Sequence, residues 1–200
     1  LAWPVARRQA KRPLRVGFTF NLKRTSPQHT NGNDSDAEYD SPKTVQAIHD
    51  AIASYGHEVI DLEATSELPN LLAAANVDVV FNIAEGFRGR NRESQVPALL
   101  ELLDIPYTGS DPATLSITLD KVLAKRVVRQ HGIHTPNFVV MESGKERLPK
   151  DLRFPVIVKP AAEGSSKGVF ASSVVSTEAE LRTLAREIAS RYGHPALVER

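Results

Sequence analysis

The stretch Phe154 to Phe170, FPVIVKPAAEGSSKGVF, decides how this chain is read. An apolar, β-branched run from Phe154 to Val158 ends in Lys159 and Pro160. A short loop follows, Glu163-Gly164-Ser165-Ser166-Lys167-Gly168, and then a second apolar run from Val169 to Val175. The pattern predicts strand, Gly/Ser loop, strand. Two glycines flanking two hydroxyls and a lysine let backbone N–H groups turn toward an anion, and the side chains add further donors for phosphate oxygens. Neither G-x-x-x-x-G-K-[ST] nor G-x-G-x-x-G occurs, so a β-hairpin lid over phosphate is the nucleotide reading that remains. A solvated hairpin turn is the competing reading of the loop taken alone. Lys159 favours the first, because a lysine ending an apolar strand is costly to bury unless an anion meets it.

Composition narrows the classes. The chain has 200 residues, 25 basic against 24 acidic, which allows one large or two small domains and calls for neither nucleic acid nor an anionic membrane as partner. No run of 18 apolar residues and no signal-peptide pattern is present. Cysteine is absent, which excludes a thiol nucleophile, a disulfide framework and a cysteine zinc site, and makes the cytoplasm the expected compartment. His29, His49, His57, His131, His134 and His194 show no ligand spacing and are expected to be surface or structural residues. The chain opens on Leu1 and stops at Glu199-Arg200, directly after the apolar Ala196-Leu197-Val198. A fragment of a longer protein is therefore expected.

Outward from the loop, the first half alternates. A disordered basic lead-in, 1–13, with Arg7, Arg8, Lys11 and Arg12, precedes a strand at Leu14 to Phe20. Asn21 to Asp40 is polar and reads as a mobile loop, a lid by its length. Ser41-Pro42 caps a helix whose Val45, Ile48 and Ile52 share a face to about Tyr55, and Gly56 closes it. Strand His57 to Leu62, helix Glu67 to Ala75 and strand Val77 to Ile83 complete a β-α-β-α-β series. The series predicts a doubly wound parallel sheet in an α/β fold, with ligands beyond the carboxyl ends of the strands, where Asn82, Glu85, Gly86 and Gly89 lie. A helix with Val96, Leu99, Leu100 and Leu103 and a short strand at Ile105 to Tyr107 follow.

From there the pattern changes, and a domain boundary is expected near Asp111 to Lys121: a Rossmann-like domain over 14–115, and a second domain over 116–200. Asp111 to Thr118 reads as a short helix, Thr118 as the cap of a second one ending at Gly132, and Phe138 to Met141 as a strand. Thr177 with Glu180 forms a capping box for a helix over Glu178 to Ser190, buried through Leu181, Leu184, Ala185 and Ile188.

These pieces in this order resemble the D-alanine:D-alanine ligase family of ATP-grasp enzymes. The resemblance is carried by Asn82 with Glu85-Gly86, Gln95, Leu99-Leu100-Glu101, Pro106-Tyr107-Thr108-Gly109-Ser110, Asp120-Lys121 with Lys125, Thr135-Pro136, Phe154 to Pro160, Glu163-Gly164-Ser165-Ser166, Gly168-Val169 and Val198-Glu199. It runs from about Leu14 to the last residue. It implies a preATP-grasp domain, then the small α+β central domain of an ATP-grasp fold, with the C-terminal lobe absent from this chain. It also implies the family's chemistry: ATP phosphorylates one carboxylate, the amine of a second amino acid attacks the acyl phosphate, and D-alanyl-D-alanine forms for peptidoglycan precursors.

By the same resemblance, Lys121 and Lys159 look like the two lysines on the nucleotide phosphates. Glu163 to Gly168, Lys167 included, looks like the flexible loop that closes over them, expected to be mobile without nucleotide and ordered with it. Ser165 is similar to the serine that helps hold the first amino acid, Ser166 to a phosphate donor, and Glu199 to the start of the hinge facing adenine. Glu38 with Ser41 is similar to an element whose carboxylate receives the substrate ammonium, at a spacing one residue short. Ser165 and Lys159 are the implied catalytic residues, and Glu38, Ser41, Glu85 and Ser165 the implied substrate residues. Mg²⁺ is the implied metal, with its ligands expected beyond Arg200 and none within the chain, so the fragment itself is expected to be inactive. An amino-acid substrate is the implied partner, and a homodimer is left open.

Three departures sit on the amino-acid side. Phe20-Asn21-Leu22-Lys23 replaces a glycine pair, Glu85-Gly86 replaces a histidine-glycine, and Arg90-Asn91-Arg92 replaces an acidic turn. A ligase for a different amino or hydroxy acid, and a non-catalytic nucleotide-binding module, are the alternative readings. Asp120 reads as a first-turn, dipole-favoured carboxylate rather than a catalytic base.

Overall fold

The structure is a computed structural model, and it describes residues 12–24, 34 and 36–200. Arg7, Arg8 and Lys11 of the basic lead-in, and most of the polar run Asn31 to Asp36, lie outside the described residues. The chain divides into two compact units. One comprises the residues up to Lys23, Tyr39–Phe87 and Gln95–Ser110; the other comprises Arg24–Glu38, Arg88–Ser94 and Asp111–Arg200.

In the first unit, β1 (Arg15–Phe20), α1 (Pro42–Ala53), β2 (Glu58–Glu63), α2 (Leu68–Ala75), β3 (Val79–Asn82) and α3 (Gln95–Leu102) follow in order. The strands form a parallel sheet of order β2-β1-β3. The central strand is buried along almost its whole length, as a strand covered on both faces should be. Leu62, Leu68, Leu72, Val80, Val96 and Leu100 pack on one side, and Phe18, Phe20 and Val45 on the other. Ser41 caps α1 as read, its hydroxyl accepting from the Thr44 N–H at 3.1 Å. The strand expected at Ile105 to Tyr107 shrinks to a single parallel bridge between Val80 and Tyr107. Pro106 has no N–H to continue a ladder.

The second unit holds α4 (Pro112–Leu119), α5 (Lys121–Gln130), β4 (Phe138–Met141), β5 (Val156–Pro160), β6 (Val174–Val175), α6 (Glu178–Tyr192) and β7 (Ala196–Glu199). Its sheet is antiparallel, of order β4-β7-β5-β6. Side chains alternate between its faces. Met141, Val156, Val158, Ala196 and Val198 meet Leu181, Ala185 and Ile188 of α6, whereas Leu197 meets Val122 of α5 and Ala161 on the opposite face. The period of two that sends Val158 to α6 sends Lys159 to the α5 side, where Ile157 pairs with Glu199 and Lys159 with Leu197. The sheet thereby gathers Lys159 and Glu199 on one face.

Three local readings change. The cap of α5 is Asp120, whose carboxylate accepts from the N–H groups of Val122 and Leu123 at 2.9 and 3.0 Å, while the Thr118 hydroxyl donates back to the Thr114 carbonyl. A carboxylate outcompetes a threonine for two helix amides, and Thr118 finds its partner one turn earlier. The run Val169 to Val175 is not one strand: Ala171–Ser173 forms a 3₁₀ turn because the Ser173 hydroxyl accepts from the Phe170 N–H at 3.0 Å, which leaves only Val174–Val175 to pair with β5. The last helix runs two residues further than read, to Tyr192, with Gly193 as its left-handed cap at φ +70°.

Leu181 is fully buried in the second core. Leu181→Ala is expected to cost about 2–5 kcal/mol of unfolding free energy in urea titration; a loss below about 1 kcal/mol would place this side chain outside a close-packed core.

Candidate active site

The loop begins where β5 ends, and its first residue is held from several sides. Glu163 accepts from Arg92 Nη2 at 3.1 Å and pairs with Lys167 Nζ at 2.9 Å, and its Oε1 lies 3.0 Å from His194 Nε2. Arg92 Nη2 also donates to Glu38 Oε1 at 2.5 Å, and Arg92 Nη1 to the Ala162 carbonyl at 3.1 Å. The side chains of Glu38, Glu163 and Arg92 are 2, 7 and 8% exposed, so the charges meet almost without water. Burial pushes the Glu163 carboxyl up, but the hydrogen bonds from His194 and Lys167 and the charges of Arg92 and Lys167 pull it further down, to about 2.

The rest of the loop is built by backbone bonds. Gly164 N–H donates to Glu38 Oε1 at 2.6 Å, and Gly168 N–H to Asp34 Oδ2 at 3.0 Å. Lys167 N–H closes onto the Gly164 carbonyl and Val169 N–H onto the Ser166 carbonyl. Ser165 and Ser166, both exposed, stand at φ +46° and +59°. Their N–H groups and hydroxyls make no bond to any other described residue. Non-glycine residues at positive φ are uncommon, and two in a row at a loop tip are held by the bonds on either side.

Lys121 Nζ donates to the Glu163 carbonyl, and the Lys121 N–H donates to the Ala161 carbonyl at 2.9 Å. Burial first, and the Lys159 charge second, hold the Lys121 ammonium below its usual pKa, against the opposing charges of Glu163 and Glu38. Lys159 Nζ pairs with Glu199 Oε1, and Lys125 Nζ with Glu199 Oε2 at 2.8 Å. Burial raises the Glu199 carboxyl, and those two lysines bring it below its usual range. Asp120 is both a helix cap and the partner of Arg90, whose Nη2 lies 2.6 Å from Oδ2.

The second unit thus brings together Lys121, Lys159, Glu163 to Gly168, Glu199 and Glu38. Lys167 points its ammonium at Glu163 and Glu38. Ser41 and Glu85 belong to the first unit, where Ser41 caps α1 and Asn21 Oδ1 accepts from the N–H groups of Glu85 and Gly86 at 2.9 and 3.0 Å. Sequence reading gave no role to Asp34, Lys125, His194 or Tyr192, and saw Arg92 only as a departure. Their contacts with the site span 31 to 158 positions and none lies within one helical turn, so no local spacing marks them.

Glu163 and Glu199 are each held by two or more cationic or imidazole groups, and Glu38 by Arg92. The donor set of Ser165, Ser166 and Lys121 suits an anion such as a nucleotide phosphate.

Residues 127–200 match the family model described as D-ala D-ala ligase C-terminus. D-alanine–D-alanine ligases of Syntrophotalea carbinolica and Aquifex aeolicus are 40 and 38% identical to the chain, over 80 and 78% of it and 50 and 52% of their own lengths. The chain belongs to the D-alanine–D-alanine ligase family. An uncharacterized protein of Sinorhizobium fredii is likewise 40% identical, over 74% of the chain and 46% of that protein. The chain spans about half the length of the curated relatives it matches. The fold agrees with that of a Bacillus anthracis D-alanine–D-alanine ligase complexed with ATP, at 22% identity and TM-score 0.68 over 93% of this chain and 58% of that one. A D-alanyl-alanine synthetase A of Vibrio cholerae gives 18% identity and TM-score 0.64, over 95 and 60%.

Because Glu163 sits near 2 when folded against an ordinary 4.5, it stabilises the fold fully above about pH 4.5, and that contribution is lost as pH falls toward 2. Glu163→Gln is expected to flatten the decline of urea stability between these limits; an identical slope in the variant would remove Glu163 from the acid transition. A methyl group at Gly168 would come within 2.4 Å of Pro160 Cγ and 2.9 Å of the Tyr192 ring at φ +74°. Gly168→Ala is therefore expected to lose about 1 kcal/mol or more, read as a lowered urea midpoint.

Proposed function

We propose that the protein carrying this chain is an ATP-dependent carboxylate–amine ligase that forms D-alanyl-D-alanine for peptidoglycan precursors. The observation that carries this reading is the loop: two serines with unbonded donors at positive φ, beside a half-buried Lys121 and the strand-end Lys159. ATP would supply phosphorylation of the first carboxylate, giving an acyl phosphate that the second amine attacks as inorganic phosphate leaves. In this reading the Ser165 and Ser166 donors orient phosphate oxygens, and the ammonium groups of Lys121 and Lys159 offset charge growing on the transferred group. The loop from Glu163 to Gly168 excludes water from an intermediate that water would hydrolyse. Glu199 lies at the adenine end and Ser165 toward the first amino acid. In this reading 14–115 correspond to the preATP-grasp domain and 116–200 to the central domain, with segments 24–38 and 88–94 grouped with the latter. Mg²⁺ belongs to the reading through the family, and no step is assigned to it within these residues.

A second reading, a ligase for another amino or hydroxy acid, is favoured by Arg92. That residue takes up the Glu38 carboxylate at 2.5 Å, where the resemblance would have it free for a substrate ammonium. Phosphate release from ATP by the whole protein that carries this chain separates the two: dependence on D-alanine supports the first, dependence on a different acid in a substrate panel supports the second, and no acid-dependent release at all rejects both. Lys159→Ala is expected to weaken ATP binding about tenfold or more, the equivalent of a charge-assisted contact of about 1.5–3 kcal/mol. Unchanged affinity by calorimetric titration would take Lys159 out of the site.

A further inference from the structure

Two carboxylates from one short segment, Asp34 and Glu38, accept from the two glycine amides that bound the loop. Glu38 Oε1 takes the Gly164 N–H at 2.6 Å and Asp34 Oδ2 the Gly168 N–H at 3.0 Å. Each carboxylate is itself held. Arg92 fixes Glu38. Tyr192 OH donates to Asp34 Oδ2 at 2.6 Å, and Arg191 Nη2 to Oδ1 at 2.9 Å. Tyr192 and Arg191 end α6, so the far anchor is tied to the helix that builds the second core. Burial raises the Asp34 carboxyl, and the Tyr192 and Arg191 contacts lower it below its ordinary value, which keeps it an acceptor.

Both anchors leave little room for a side chain, and at Gly168 the φ of +74° also demands glycine. A Cβ at Gly164 would stand 2.8 Å from Glu38 Oε1, and one at Gly168 would meet Pro160 and Tyr192. With these two amides taken, and those of Lys167 and Val169 spent inside the loop, the described donors left for an anion at the tip are those of Ser165 and Ser166.

We propose that Asp34 and Glu38 are positioning residues that hold the loop formed before any nucleotide arrives, so that phosphate meets two serines preset between carboxylate-anchored glycines. The anchoring itself is independent of the proposed function; only its use for phosphate rests on that reading. A loop ordered in advance loses less conformational freedom on binding, which favours affinity.

Amide hydrogen exchange resolved to single residues, in the nucleotide-free chain, tests the anchors directly. Slow exchange is expected at Gly164 and Gly168 in the wild type. In Asp34→Ala, Gly168 is expected to exchange about tenfold faster or more, with Gly164 unchanged, because the bond lost is local to that end of the loop. Asp34→Asn keeps an acceptor for the amide and should restore most of the protection, a rescue that a purely packing role would not need. Glu38→Ala should free Gly164 in the same way; should that variant fail to fold, the Asp34 pair still decides. Gly168 exchanging at the unstructured rate in the wild type, or unmoved by Asp34→Ala, overturns the proposal. ATP titration of the whole protein that carries this chain separates the two readings: protected amides with no ATP binding by that protein leave the anchors standing and reject the proposed function, whereas ATP binding with unprotected amides does the reverse.

Discussion

The second unit depends on the shared guanidinium of Arg92. It lies between Glu38 and Glu163, nearly dry, and its other nitrogen reaches the Ala162 carbonyl. A buried ion cluster is expensive to assemble, since each charge leaves water, and it is far more expensive to leave half-made. Arginine suits the position because its planar fork can serve two carboxylates and a carbonyl with fixed geometry and cannot shed its proton. Lys167 and His194 complete the shell around Glu163. The consequence is positional: Glu163 stays ionised, and the loop that starts there leaves β5 in one direction.

That direction would mean little without the sheet beneath it. Alternation along β5 buries Val156 and Val158 against α6 and turns Lys159 to the other face. Asp120 starts α5 on that face, tied to the sheet by the bond from the Lys121 N–H to the Ala161 carbonyl. Lys121 and Lys125 then lie one turn apart on α5, one over Glu163 and the other on Glu199. The hydrophobic period, which drives folding, and the placement of the charges are thus one pattern seen from two faces.

Much of this was legible in the sequence, and for local reasons. Caps, capping box and periodicity act within a few residues, so α1, α6 and the three parallel strands could be read from the local order of residues. The places where reading went astray were local contests decided by a single side chain: Asp120 against Thr118 for the cap of α5, and Ser173 diverting the strand after the loop. The loop and both lysines stood out because a lysine at a strand end and glycines around serines break the apolar pattern. The partners of that loop did not. Arg92 is 71 positions from Glu163, and Asp34 is 134 from Gly168. Nothing in a neighbourhood of turns and helix faces encodes such pairings, which exist only once the segments 24–38 and 88–94 join the second unit.

The two lysines differ in a way their shared motif role hides. Lys159 already has a carboxylate partner in Glu199, which Lys125 also holds, so an arriving anion would compete there with a half-buried pair. Lys121 is bonded to a neutral carbonyl, and its ammonium is disfavoured by burial and by Lys159. An anion placed beside it relieves both penalties and displaces no ion pair. The ammonium at the loop without a direct carboxylate bond is therefore Lys121, adjacent to serines whose donors are unbonded, and on physical grounds the first phosphate contact belongs there while Lys159 contributes after Glu199 yields or shares it.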